Sequence, residues 1–278
     1  MAKKQYTRNE SDIQELLRKG RGKGIGENYV PYLYVRDVPS LGRSHRVYGK
    51  RSGRVHHLLS DIEYAHYLTF DMDDSVIDIR EQFALNRDET MIIASRLGYR
   101  HPKDPKSNTY SVMTTDLVIT YRNRASPTHK AFSIKPASQL QKTRVGEKLE
   151  IEEAYWTEKN ISFKVLTEHD IPVHLKRSLQ WLRQYHDISK FIEPYPGHFD
   201  ALAKHILICV ATSHAFDITL CEICTLLDKH LTYEPGSHLM IARHMLSTRM
   251  LLTNLNREQI WNTPISDIKI HPKLHANC

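Results

Sequence analysis

Glu63, Asp116 and Lys135 are two carboxylates and an amine that folding could gather at one place. Phosphodiester hydrolysis asks for such a set. A divalent cation must offset the charge building on the phosphate oxygens, and Mg²⁺ is held by hard carboxylate oxygens. An attacking water must also be oriented and activated, a task the cation shares with a neighbouring lysine. Asp116 lies near the start of an apolar run, Thr115-Asp-Leu-Val-Ile-Thr-Tyr121, and Lys135 ends another, Lys130-Ala-Phe-Ser-Ile-Lys135. Alternate side chains of a strand share a face. If the two runs pair, Asp116, Ser133 and Lys135 converge on one side of a sheet, and Glu63, on the flank of a helical apolar stripe, can join them from the core side.

Ordinary roles suit the same residues. Ser60-Asp-Ile-Glu63 has the spacing of a capping box, in which Glu63 only satisfies a helix N-terminus. Asp116 fits a turn cap, and Lys135 a solvated strand end. Glu152 falls on the helix face of Leu149 and Trp156, toward a sheet. Its everyday alternative is an ion pair with Lys148 one turn back, worth a few tenths of a kcal/mol, on the order of other exposed helix pairs.

The elements that must position these residues read as mixed α/β. A helix is expected from His57 to about Asp71, on the spacing of Leu58, Ile62, Ala65 and Met72, with Leu59 and Leu68 widening the stripe. Strands are expected around 77–80, over Thr115–Tyr121 and Lys130–Lys135, and over Ile161–Thr167. The intervening 122–129 has turn chemistry, which makes a hairpin of the second and third. A long amphipathic helix fills about Leu140 to Lys159. From Ile171 onward helices dominate, and Thr219-Leu-Cys-Glu222 makes a capping box for one of them. The apolar runs Met250–Leu252 and Gln259–Trp261 close the pattern as a hairpin, giving a winged-helix order. The expected division is 1–168 for a catalytic domain, with 1–28 as a basic arm and linker, and 169–278 for a winged-helix-like domain.

Composition narrows the classes of function. The 278 residues are 40% hydrophobic and 26% charged, which supports packed cores and excludes wholesale disorder. Residues 1–60 hold 13 Lys+Arg against 5 Asp+Glu, whereas the rest hold 26 against 27, so the net +7 is a patch of the kind that polyphosphate attracts. No apolar run reaches the roughly 18–20 residues of a membrane span, and no secretory core follows the charged start, which points to the cytoplasm. Four cysteines form no disulfide framework, and Cys221-x-x-Cys224 lacks the second pair of a zinc site. Gly22-Lys-Gly-Ile-Gly26 follows no strand, so it reads as a flexible linker, not a phosphate loop. His56-His57 reads as structural or phosphate-facing.

Several motifs stand in an order that resembles one family. They are Gly42-Arg-Ser-His-Arg-Val-Tyr48, Gly53-Arg-Val-His-His-Leu-Leu-Ser-Asp-Ile-Glu63, Ser75-Val-Ile-Asp-Ile-Arg-Glu-Gln-Phe83, Met113-Thr-Thr-Asp116, Ile134-Lys-Pro-Ala137 and Glu147-Lys-Leu-Glu-Ile-Glu152. The series is similar to TnsA, the endonuclease subunit of heteromeric cut-and-paste transposases, over about 20–168 and more weakly beyond. The resemblance implies a restriction-endonuclease-like mixed sheet flanked by helices. It implies catalytic roles for Glu63, Asp116 and Lys135, with Ser133 beside them. It implies Mg²⁺, with Mn²⁺ able to substitute, held by Glu63, Asp116 and the Ile134 carbonyl, with Glu152 at a nearby acidic position. The family usually has glutamine where this chain has Ser133, a shorter side chain that leaves room for a bridging water. The implied activity is hydrolysis at the 5′ ends of a transposon in double-stranded DNA. The implied partners are a TnsB-like recombinase and a TnsC-like AAA+ ATPase. A stand-alone restriction enzyme and a non-catalytic DNA–ATPase adaptor are the rival readings.

Overall fold

The computed structural model describes residues 8–38, 43–49, 51–212 and 217–272. Residues 1–7 of the basic arm, Gly42 at the head of the first motif, and Cys278 lie outside them. The chain divides into two units, Met1–Ile171 and Pro172–Cys278.

The first unit runs α1 (Glu10–Arg18), β1 (His45–Gly49), β2 (Arg54–Leu58), α2 (Asp61–Asp71), β3 (Val76–Ala84), α3 (Arg87–Arg96), β4 (Thr114–Tyr121), β5 (Thr128–Ile134), α4 (Thr143–Glu158) and β6 (Ser162–Leu166). β1 and β2 form a separate antiparallel pair, and the other four strands form one sheet in the order β3-β4-β5-β6. The first three are antiparallel neighbours, whereas β6 runs parallel to β5, so the sheet is mixed. A parallel neighbour needs a crossover, and α4 supplies it. Register Leu117↔Phe132 and Val118↔Ala131 assigns these two pairs to opposite faces. Val118 and Ala131 share a buried cluster with Ile93 of α3 and with Ile151, Tyr155 and Trp156 of α4. On the other face the rings of Phe70 and Phe132 are 4.9 Å apart, which brings α2 there.

Three local expectations change. The helix expected from His57 starts at Asp61, because Arg54–Leu58 is held in the β1–β2 ladder and Ser60 caps the helix by accepting from the Glu63 N–H at 3.1 Å. The glycine run is no flexible linker. Gly22 donates its N–H to Val30 at 2.6 Å, and a Cβ there would stand 2.4 Å from that of Ala84. A Cβ on Gly24 would stand 2.2 Å from the Asn28 carbonyl oxygen. Both have positive φ, so glycine here permits close packing. Helix α3 has no counterpart among the expected elements; Asn86 caps it, but only one edge is apolar and buried, so its periodicity is faint.

The second unit is mostly helical: α5 (Val173–Arg183), α6 (His198–Thr212), α7 (Leu220–His230) and α8 (Ser237–Ser247), then β7 (Leu251–Leu252) and β8 (Lys269–Ile270). Thr219 and Glu222 complete the expected capping box. The hairpin partner of Leu251–Leu252 differs from expectation. It is Lys269–Ile270, while Ile260–Asn262 is a 3₁₀ turn with Ile260 buried. Cys224 is buried in α7, as packing of a short helix would have it. Among the described residues no helix is long and apolar enough to cross a membrane.

Candidate active site

Pairing of β4 with β5 sets Asp116 beside the end of β5. Its Oδ2 accepts from the Ile134 N–H at 2.6 Å, from Lys135 Nζ at 2.6 Å and from Ser133 Oγ at 3.4 Å. Lys135 Nζ also donates to the Ile134 carbonyl at 3.1 Å, so the amine spans Asp116 and that oxygen. The Lys135 N–H donates to Leu166 at 3.0 Å, which continues the parallel ladder and fixes where the side chain departs.

Glu63 and Glu152 approach from opposite faces of the sheet, one on α2 and the other on α4. The Glu63 carboxylate accepts from the Leu59 N–H at 2.9 Å and from Ser60 Oγ at 3.1 Å. It therefore does cap its helix, in keeping with the ordinary role, and it also faces Asp116. The link is Gln82, whose Nε2 lies 3.3 Å from Glu63 Oε2 and 3.5 Å from Asp116 Oδ1. Glu152 accepts from Thr115 Oγ1 at 2.7 Å, and Thr115 in turn accepts from Trp156 Nε1 at 2.8 Å. That bond, and no ion pair with Lys148, holds it.

Charge follows from this crowding. Burial, and then the Asp116 charge, pushes the Glu63 carboxyl up to about 8. Burial also raises Glu152 to about 8, against the pull of Lys135. Burial works against the Lys135 ammonium, but Asp116, Glu152 and Glu63 outweigh it and hold its pKa above the ordinary value. Three acids thus surround one cation, and two of them keep protons where carboxylates are normally ionised. Among the described residues no three His, Cys, Asp or Glu side chains are placed to hold a metal together. The oxygen set gathered here is of another composition: two carboxylates and the Ile134 main-chain carbonyl. Hard oxygens of this kind suit a hard divalent cation.

Gln82 is absent from the sequence-based set. It is buried, at φ +47°, in a strand whose irregular φ turns its amide to the carboxylates. Its signal was the adjacent polar pair Glu81-Gln82, which breaks the alternation of Ile77 and Ile79 with Asp78 and Arg80. Glu81 has a different task. It is fully buried, with Arg54 at 2.8 and 2.6 Å, His56 Nδ1 at 2.8 Å and the His57 N–H at 3.0 Å. Burial would raise its carboxyl, but His56 and Arg54 overcome this and hold it at about 2. His56 is thus structural, and the His57 ring packs at a tilt against Tyr34 with ring centroids 4.5 Å apart.

Comparison with known proteins identifies a family. A family described as TnsA-like endonuclease N terminal matches residues 73–168, which include Asp116, Ser133, Lys135 and Glu152. A second, described as TnsA endonuclease C terminal, matches 170–255, where the motifs alone carried less. Transposon Tn7 transposition protein TnsA of Escherichia coli is 42% identical over 183 residues, 66% of this chain and 66% of its own length. The chain belongs to the TnsA endonuclease family.

Proposed function

We propose that the chain is the Mg²⁺-dependent endonuclease subunit of a transposase, hydrolysing the phosphodiester at the 5′ ends of a transposon. The observation that carries this is Asp116 and the Ile134 carbonyl joined by Lys135 Nζ, with Glu63 linked through Gln82. Glu63, Asp116 and the Ile134 carbonyl would hold the cation. When bound, such an ion compensates charge on the phosphate and lowers the pKa of a water. Lys135 stays protonated beside three acids, so its role is to orient the water and donate to charge that builds on oxygen. Ser133 is fully buried and steadies Asp116, and Glu152, held by Thr115, walls the site beside Lys135.

A TnsB-like recombinase would cut and join the 3′ ends, and a TnsC-like AAA+ ATPase would regulate both, contacting the part from 169 to 278, for which a winged-helix-like arrangement is the expectation. The division into a catalytic part and this second part is likewise our reading. The test is cleavage of transposon-end DNA by the assembled subunits with Mg²⁺ or Mn²⁺. Loss of 5′-end cutting with Asp116→Ala supports the reading, and retention removes it.

A further inference from the structure

On α4, Arg144, Lys148 and Glu152 stand four residues apart and share one face. Glu152 belongs to the candidate site. Arg144, at the other end, lines an open cleft of about 990 Å³ together with Arg100, Lys103, Tyr99, Tyr110 and Glu147. The acid in that lining, Glu147, is already bonded to Arg144. Lys103 Nζ sits 4.3 Å over the Tyr110 ring, and neither it nor Arg100 meets a carboxylate among the described residues. Helix α4 starts here with no side-chain cap and no acid in its first turn, which adds partial positive charge. Between cleft and site, partial desolvation and then the charges of Arg144 and Lys135 hold the Lys148 ammonium below its ordinary pKa. Lys148 therefore feels Arg144 along the stripe and Lys135 of the candidate site.

We propose that Lys148, Arg144, Arg100 and Lys103 form a phosphate track that holds the backbone of the DNA beside the scissile bond. This rests on the endonuclease reading and adds where the substrate lies. Arg144 and Glu152 are about 12 Å apart along the helix at 1.5 Å per residue. Duplex rises roughly 3.4 Å per base pair, so the cleft would take phosphates about three to four base pairs from the cut. Side chains aimed at phosphates position DNA and read no sequence. Tyr99 and Tyr110 give the cleft apolar walls, against which a sugar can rest.

The test is duplex binding by the full-length chain at a series of salt concentrations, in Ca²⁺ to withhold cleavage. Removing one phosphate-binding cation lowers the slope of log K against log salt by about 0.9. R100Q, K103Q and K148Q combined are expected to flatten the slope by roughly 2 to 3, equally on unrelated sequences. R124Q, on the β4–β5 turn, is expected to change it little. An unchanged slope in a triple variant that melts like the wild type overturns the track alone. So does a triple variant that no longer binds an acidic peptide but still binds DNA as the wild type does. Wild-type chain that binds no duplex at low salt overturns the track, while 5′-end cutting by the assembled subunits, abolished by D116A, tests the endonuclease reading independently.

Discussion

At the scale of the residue, Asp116 accepts three bonds at one oxygen and offers the other toward Gln82 and Glu63. Replacing it with Ala removes a proposed metal ligand and leaves Lys135 with fewer compensating charges. Cleavage at 5′ ends is expected to fall below detection, with a far-ultraviolet spectrum like the wild type's. Lys135→Ala should cost about 10² to 10⁴ in rate, the range for a positioned proton-handling group, measured in single-turnover cutting. Ser60→Ala separates the two duties of Glu63. Losing the cap should cost about 1 kcal/mol in a denaturant melt while cutting persists.

The raised acids add a pH dependence. In the folded state Glu63 and Glu152 hold protons up to about 8, whereas the unfolded chain releases them near 4.5. Between those values the native state binds more protons, so without metal their contribution to stability falls as pH rises. A cation must displace the Glu63 proton, so its affinity should climb between pH 6 and 8, by up to about tenfold per unit for one proton released. Titration with Mn²⁺ across that range checks this, and a flat profile would remove Glu63 from the ligand set.

At the scale of the element, the glycine run and the buried ion pair determine how firmly the frame holds. Gly24→Ala places a side chain at φ +99° against the Asn28 carbonyl, and positive φ alone costs about 1–3 kcal/mol. The chemical denaturation midpoint should drop accordingly, where a flexible linker would absorb the change. Glu81→Gln should be harsher, about 3–5 kcal/mol, because Arg54 is left charged in a dry place. These two segments also mark what sequence could and could not disclose. Strands β4 and β5 and helix α4 were legible because apolar alternation and helical spacing are local, and their pairing followed from a turn between them. The convergence of Asp116, Ser133 and Lys135 was legible for the same reason. Gln82 was not, since its approach depends on an irregular φ that no period encodes. Gly22 was not, since the approach it permits is to Ala84, far along the chain. Glu152 was half legible: its face was plain, while its bond to Thr115 needed the crossover to be known.

At the scale of the whole molecule, the phosphate track proposed beside α4 offers contacts that any duplex satisfies. A chain of this kind should bind DNA without choosing a site. Purified alone with Mg²⁺, it is expected to leave plasmid largely intact. With the recombinase and ATPase subunits, cuts should appear near the transposon ends, mapped by primer extension. Efficient sequence-specific cutting by the isolated chain would move it to the restriction enzymes.

Lys135 takes its backbone bond from Leu166, on the parallel strand that follows α4. A polypeptide leaves the ribosome N-terminus first, so Glu63, Asp116 and Lys135 are all made before that strand exists. Until Leu166 emerges, the lysine has no ladder bond to fix its direction. The centre is therefore completed only by β6, and a chain ended before that strand carries the acids without the bond that sets the lysine's direction.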